Sequence, residues 1–349
     1  MFFKRIKKAA VTCVSLLVIC SLCACGSEVK LTEEGMELIR QLDYHGALTK
    51  FEEAVEEGEN GRLIARGRGI AHMGLTEYGE AIDCFLEALA LSDGMVQDVD
   101  FDINYYLAAA YTKNGQNQEA RDTYDAIIQL RPDAEAFFLR GSVALTMGDY
   151  TGAKADFDTA VDKEPHNYDR LLAIYEALAR SGYRDAGKEY LEAVLNAEDV
   201  NLGHFDMGRI YYYMGEYQTA CLEFEKAREN GGEESCLYLG KAYEALGDYN
   251  YASNVYNNYL NQNDGSAKLY NQLGLCEMAK KEYRNALNAF QAGLQLQDPE
   301  MRQTLSFNEI TAYEYLSEFD TALALLNTYL DNYPDDENAV REKTFLQTR

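Results

Sequence analysis

The chain has 349 residues, with 32 Lys and Arg against 58 Asp and Glu, which gives a formal net charge of −26. This excess of acid argues against nucleic-acid binding, which needs a basic surface, and against docking of the folded body on anionic lipid. The acidity also has a plain explanation, because it keeps a long chain soluble. A chain of this length would form two ordinary domains unless it is built from repeats.

The first 24 residues have the pattern of a signal peptide. A basic start that ends at Lys8 is followed by an uncharged, mostly apolar run over residues 9–22. The run is too short to cross a bilayer comfortably, since that takes about 20 residues. A basic start followed by a short apolar run is typical of a signal peptide.

The apolar run ends in Leu22-Cys23-Ala24-Cys25, which resembles the bacterial lipoprotein box, with Cys23 as a mild departure. The resemblance implies cleavage after residue 24 and a lipid on Cys25, with residues 25–27 as a short linker. The protein is then expected in the bacterial cell envelope, outside the cytoplasm and attached to a membrane by its lipid. An uncleaved anchor and secretion without lipid are the alternatives.

Small residues recur along the rest of the chain with a period near 34 residues. The recurring alanines are Ala47, Ala81, Ala120, Ala153, Ala186, Ala220, Ala252, Ala286 and Ala322. In eight of the nine cases an aromatic residue stands three positions earlier, and in eight another stands four positions later. In the fifth unit these flanking residues are Tyr183 and Tyr190. A fixed period of this length indicates a stack of similar units.

The unit over residues 233–264 shows the physical basis of the repeat. Its first half carries an apolar stripe at helical spacing, in which Gly240 lets a partner helix approach. Gly247-Asp248 combines a helix stop with a helix start. In the second half Ala252 is small where the two helices cross, and Tyr256 fills the space towards the next pair. Strand-type alternation is absent, so the sequence predicts an all-α chain.

These offsets together resemble the tetratricopeptide repeat. Its small position in the first helix is matched by Gly35, Gly69, Ala108, Gly141, Gly208, Gly240 and Gly274. Its turn glycine is matched by Gly115, Gly148, Gly215 and Gly247. Ile174 and Ile310 replace the small residue in two units, and the chain has no tryptophan.

The resemblance implies a right-handed α-solenoid of about nine helix-turn-helix repeats over residues 28–334, followed by a capping helix over 335–349. The repeats are expected near residues 28–61, 62–95, 101–133, 134–166, 167–200, 201–232, 233–266, 267–299 and 303–334.

In this family, fixed positions of each first helix face a concave groove that holds the ligand. Carried over to this chain, they give a candidate groove for a peptide or protein: Arg66, Tyr105, Phe138, Tyr168, Tyr175, Phe205, Arg209, Tyr212, Lys241, Lys268 and Asn271. Aromatic and arginine anchors are typical of such grooves, and the basic residues would suit an acidic or C-terminal carboxylate segment. The alternative is that the rings pack between helices and neighbouring acids balance the cations.

No pattern for catalysis, a metal or a cofactor is found. The four histidines lie in separate repeats, and the cysteines of the repeats show no CxxC spacing, so these cysteines are expected to be small buried hydrophobes. Residues 98–102 begin like a calcium loop, but Ile103 and Ala109 stand where Gly and Glu are needed. The insertion before the third repeat, residues 92–100, is a candidate for a second contact site.

The sequence therefore favours a non-enzymatic, lipid-anchored scaffold or adaptor of the cell envelope that binds a peptide or protein, without nucleic acid. A lipoprotein that binds a small ligand or glycan is the main alternative, since 27 tyrosines would suit stacking on sugars. An enzyme with an unrecognised site in the groove is a further one.

Overall fold

A computed structural model describes residues 29–197, 202–228, 232–334 and 336–349. Within these ranges the regular secondary structure is nineteen helices, with no strand. The chain divides into two compact units, Met1–Arg131 and Pro132–Arg349. None of the described helices is both long and apolar enough to cross a bilayer.

The first unit contains three helix pairs. They are α1 (Lys30–Arg40) with α2 (Tyr44–Glu56), α3 (Gly61–Gly74) with α4 (Tyr78–Ala90), and α5 (Asp98–Lys113) with α6 (Asn117–Leu130). The first helix of each pair packs on its own second helix, and within this unit α2 packs on α3 and α4 packs on α5. Successive first helices also touch.

The second unit continues the same arrangement with six pairs and a final helix. The pairs are α7 (Ala134–Thr146) and α8 (Tyr150–Lys163), α9 (Tyr168–Arg180) and α10 (Arg184–Leu195), α11 (His204–Met214) and α12 (Tyr217–Ala227), α13 (Gly232–Ala245) and α14 (Tyr249–Gln262), α15 (Ala267–Ala279) and α16 (Tyr283–Gln295), and α17 (Pro299–Tyr315) and α18 (Phe319–Asn332). The last helix is α19 (Glu337–Leu346), which packs on α18. The predicted fold class, an all-α solenoid of helix-turn-helix repeats with a C-terminal capping helix, is confirmed.

Every turn inside a helix pair contains one residue in the left-handed conformation. These residues are Leu42, Thr76, Gly115, Gly148, Gly182, Gly215, Gly247, Lys281 and Ser317. At Gly148 the φ angle is 80°, its N–H donates to the Leu145 carbonyl at 3.1 Å, and the next N–H, of Asp149, donates to the Ala144 carbonyl at 2.8 Å. This hydrogen-bond pattern ends a helix and favours glycine. The turn glycines are therefore confirmed, and four pairs make the same turn without one.

The recurring alanines and rings form the core of the pairs, with one exception. In eight of the nine pairs the alanine is fully buried, and the side chain four residues later is buried as well. In the fourth pair, a Cβ added at Gly141 would lie 2.8 Å from the ring of Phe157. The small residue of the first helix is therefore required by the ring of the second.

The fifth pair departs from the predicted register by one residue. Ala186 is only partly buried, whereas Gly187 is buried against Tyr175, and Leu191 is fully buried in place of Tyr190. The cause lies in the turn, because Tyr183 occupies the N-cap position that Asp149 occupies in the fourth pair. Helix α10 therefore begins one residue later relative to its tyrosine, and every inward position moves by one.

The cysteines of the repeats, Cys84, Cys221, Cys236 and Cys276, are unpaired and buried. Burial raises the pKa of each of these thiols, most strongly for Cys236 and Cys276, where it reaches about 12. A thiol with a raised pKa is a poor nucleophile and metal ligand. The expectation that these cysteines act as small core residues agrees with this burial.

Candidate ligand-binding surface of the first helices

In the first unit, the predicted groove residues Arg66 and Tyr105 are both partly buried. The Nε atom of Arg66 donates to Asp102 of the next first helix at 2.5 Å, and its guanidinium lies 5.8 Å from the Tyr106 ring centre. The ring of Tyr105 lies 6.3 Å from that of Tyr124. Arg66 therefore links α3 to α5 and does not stand as an isolated cation.

In the second unit, two predicted ligand-facing rings lie in the core. Phe138 is 6% exposed and packs against Phe157, with ring centres 6.0 Å apart. Tyr175 is 5% exposed and meets the ring of Tyr213 edge-on at 5.9 Å. Both rings are buried against neighbouring helices, which leaves little of either for a ligand. For these two residues the alternative of inter-helix packing applies.

Arg209 is 9% exposed, so it too is more buried than a ligand anchor should be. Its guanidinium pairs with Asp169 of α9 and, at 3.2 Å, with Asp206. It also lies 5.4 Å from the ring centre of Phe205. Burial raises the pKa of Asp206, and Arg209 partly offsets that effect. Arg209 therefore joins α11 to α9.

The same kind of link recurs between other successive first helices of the second unit. Arg170 of α9 pairs with Glu135 of α7 at 3.0 Å, and Lys268 of α15 pairs with Glu234 of α13 at 3.4 Å. Asn271 is buried and accepts a hydrogen bond from Asn308 of α17 at 2.7 Å. Of the cations that were expected to receive an acidic segment, Arg66, Arg209 and Lys268 are thus engaged by carboxylates of this chain.

Three more predicted residues, Phe205, Tyr212 and Lys241, lie on α11 and α13. The ring of Tyr212 meets those of Tyr217 and Tyr238 at 5.5 and 5.8 Å, and Phe205 meets Tyr238 at 5.8 Å. The Nζ atom of Lys241 lies 5.9 Å from the Tyr238 ring centre. Burial raises the pKa of Tyr212 to about 12, so its hydroxyl stays neutral. We call Phe205, Tyr212, Tyr238 and Lys241 the α11–α13 cluster.

Sequence reasoning missed one ring of this surface, that of Tyr238. Tyr238 lies two residues before Gly240, whereas the offset that gives Phe205 lies three residues before Gly208, so the repeat offset passes over it. Glu244 accepts hydrogen bonds from Tyr256 at 2.8 Å and from Gln272 at 2.9 Å. Burial raises the pKa of Glu244. The α11–α13 cluster therefore has a polar edge as well as rings.

Tyr168, the last predicted ring, lines a cavity of about 570 Å³ at the start of α9, together with Asp169, Asp206 and Arg209. Its side chain is partly exposed. Within the described ranges, no three His, Cys, Asp or Glu residues are arranged to hold a metal ion. Cys25, the predicted lipidation site, lies outside the described residues.

Comparison with known families agrees with this geometry. One tetratricopeptide repeat family model matches residues 32–96 and 66–135, and a second matches residues 134–167. The chain contains tetratricopeptide repeats over residues 32–167. No curated protein matches it by sequence.

Solved tetratricopeptide structures resemble this repeat protein only distantly. One from Parabacteroides merdae is 16% identical, with 79% of this chain and 96% of that chain covered and a TM-score of 0.43. MamA from Desulfovibrio magneticus is 21% identical, with 51% of this chain and 100% of that chain covered and a TM-score of 0.41. YrrB, described as having an unusual peptide-binding site, is 20% identical, with 57% of this chain and 92% of that chain covered and a TM-score of 0.39. Likenesses this distant say nothing about the function of this repeat protein.

Proposed function

We propose that this tetratricopeptide repeat protein is a non-enzymatic scaffold that binds a peptide or protein partner at the α11–α13 cluster. The observation that carries the proposal is the group of rings on successive first helices, with Tyr212 and Lys241 partly exposed at its edge. Tyrosine beside a cation is typical of protein-binding hot spots. The repeat fold itself supports a role in protein–protein interaction.

The test reverses the charge of Lys241 in the cluster and of Lys268 on the next first helix, α15. Arg209 is not used, because it is buried and its replacement would disturb folding. A photocrosslinking residue at position 212 identifies the partner in intact cells, and binding is then measured with purified proteins. The double variant Lys241→Glu with Lys268→Glu should weaken binding at least about tenfold.

A matched control keeps the charge change but moves it to second helices. Lys154→Glu with Lys226→Glu alters two cations of α8 and α12, each of which is ion-paired as Lys268 is. Equal weakening by both double variants would show that net charge matters and the α11–α13 cluster does not. No weakening by Lys241→Glu with Lys268→Glu would contradict the proposed site.

We further propose that a lipid on Cys25 attaches the protein to a membrane of the bacterial cell envelope, outside the cytoplasm. The support is the sequence Leu22-Cys23-Ala24-Cys25 after a basic, apolar leader. Acyl chains would be needed for attachment, because the strongly acidic body is repelled by anionic lipid.

Metabolic labelling with an alkyne fatty acid tests the lipid anchor. Cys25→Ala should lose the fatty-acid label and leave the membrane fraction. The nearby variant Cys23→Ala should keep the label and stay in the membrane fraction. A label retained in Cys25→Ala would contradict this assignment.

A further inference from the structure

The segment between α4 and α5 exposes apolar side chains outside the first-helix surface. Met95 is 67% exposed and Val96 is 62% exposed, and Leu130 at the end of α6 is 64% exposed. Soluble proteins rarely leave several large apolar side chains together in water unless a partner covers them.

These side chains surround a cavity of about 220 Å³. Its walls are Met95, Val96 and Leu130, and Phe101 and Ile127 also line it. Ile127 is buried, so the cavity has an apolar floor as well as an apolar rim. A cavity of this size suits one apolar side chain of a partner.

The segment that forms one wall is held in shape by its own hydrogen bonds. The carboxylate of Asp93 accepts from the N–H of Met95 at 2.9 Å and from the Gln97 amide at 3.2 Å. Asp100 accepts from the N–H of Gln97 at 2.8 Å. Because these hydrogen bonds already fix the conformation of the wall, a partner side chain can bind without the entropy cost of ordering this segment.

The surroundings of the cavity carry an excess of negative charge. Asp93 lies on the segment, and Asp98, the first residue of α5, is 84% exposed. Asp122 is exposed on α6, one helical turn before Ala126, which lines the cavity. Arg131 lies 3.8 Å from the Phe101 ring centre and pairs with Asp98 at 3.2 Å, and Arg62 pairs with Asp100, which also lines the cavity. These four carboxylates outnumber the two arginines, and this excess of negative charge favours a basic guest.

The choice of occupant follows from charge. A second copy of this chain would bring another net charge of −26 to an acidic rim, which opposes self-association. We propose that the cavity formed by residues 92–101 and the end of α6 docks a partner segment that places one apolar side chain beside Lys or Arg. This site lies on the first unit and is separate from the α11–α13 cluster of the second.

The test begins with a phage-displayed library of random dodecapeptides, panned on the full-length protein. Enriched peptides should combine an apolar residue with adjacent Lys or Arg, and their binding is measured by fluorescence anisotropy after synthesis. Leu130→Asp should weaken this binding at least about tenfold, and Asp98→Asn should reduce its dependence on salt.

Leu222→Asp is the matched control, because Leu222 is also 64% exposed but lies on α12. It should leave peptide binding unchanged, and circular dichroism of both variants confirms that they fold. The proposal fails if enriched peptides are acidic or lack cations, or if Leu130→Asp does not weaken them. It also fails if sedimentation shows self-association that Leu130→Asp abolishes, since the occupant is then a second copy.

Discussion

The fourth and fifth helix pairs are built on the same sequence pattern but use it in different registers. In the fourth pair Ala153 and Phe157 face the core, and Asp149 caps α8 by accepting from the N–H of Gly152 at 2.9 Å. In the fifth pair Gly187 and Leu191 take those core positions. The difference shows that the turn sets which residues of a helix face inward, and a periodic sequence pattern can be one residue out of step with it.

The tyrosines that open the two second helices explain how the shift is tolerated. Tyr150 and Tyr183 stack with ring centres 4.3 Å apart, although Tyr150 is the first helical residue and Tyr183 is an N-cap. Tyr183 has no side-chain cap hydrogen bond, and the ring contact is the interaction it makes instead. Stacked rings of this kind contribute about 0.5–1.5 kcal/mol, comparable with a cap.

The largest effect is expected from the side chains that fill the two cores. Phe157→Ala should lower the free energy of unfolding by about 3–5 kcal/mol and Leu191→Ala by about 2–5 kcal/mol, because both leave a cavity. Urea denaturation measures both. Tyr190→Phe, at the sequence-predicted core position, keeps the ring and should cost only the hydrogen bond of its hydroxyl, about 0.5–1.5 kcal/mol. If Leu191→Ala were as stable as the natural chain, Leu191 would not be a core residue, and the sequence-predicted register with Tyr190 in the core would be favoured.

A smaller effect is expected from filling the close approach of the helices. Gly141→Ala should cost about 1–3 kcal/mol, because its Cβ would lie 2.8 Å from Phe157. Gly187→Ala should cost less, since its Cβ would lie 3.1 Å from the Tyr175 ring. Ala186→Ser, on the partly exposed neighbour, should change stability by less than about 0.5 kcal/mol. Thermal unfolding of the three variants ranks them, and a reversed ranking would contradict the observed register.

The N-cap of α8 should contribute less to the free energy of unfolding than the close helix approach at Gly141. Asp149→Ala removes the side-chain bond to the N–H of Gly152 and should cost about 1 kcal/mol. Asp149→Asn retains a capping oxygen and should cost only a few tenths of a kcal/mol. If the two variants lose equal stability in urea, the cap is not the source of the effect.

An effect of the same size as that of the cap is expected from the hydroxyl of Tyr190, which donates to Asp158 at 2.6 Å. Tyr190→Phe should cost about 0.5–1.5 kcal/mol at neutral pH. Burial, and then the bond to Asp158, raise the pKa of Tyr190. A raised folded-state pKa means that this stability is present below the ordinary tyrosine pKa of about 10 and is lost as pH rises above it.

Unfolding titrations from pH 8 to 11 check the sign, with the Tyr190→Phe variant as reference. The difference in stability between the natural chain and Tyr190→Phe should shrink above pH 10. A difference that grows over that range would contradict the hydrogen bond as its source.

Much of the fold was predictable because the repeat pattern is local. Helix starts, turns and the small residues at helix crossings depend on neighbours within a few positions, and Gly148, Gly141 and Phe157 lie where the offsets place them. Much less of the candidate site was predictable. Arg209 finds its partner Asp169 forty residues earlier, and offsets within one repeat carry no information about that pair.

The amino-acid order alone established the all-α class, the period near 34 residues and the helix-turn-helix unit, since these follow from residue size and backbone preference. Stacking of the pairs then determined which side chains remain available. Phe138, Tyr175 and Arg209 became parts of the packing, whereas Met95, Val96 and Leu130 stayed exposed. The physical reason is that burial depends on helix rotation and on the neighbouring pair, and a shift of one residue is enough to exchange an inward position for an outward one.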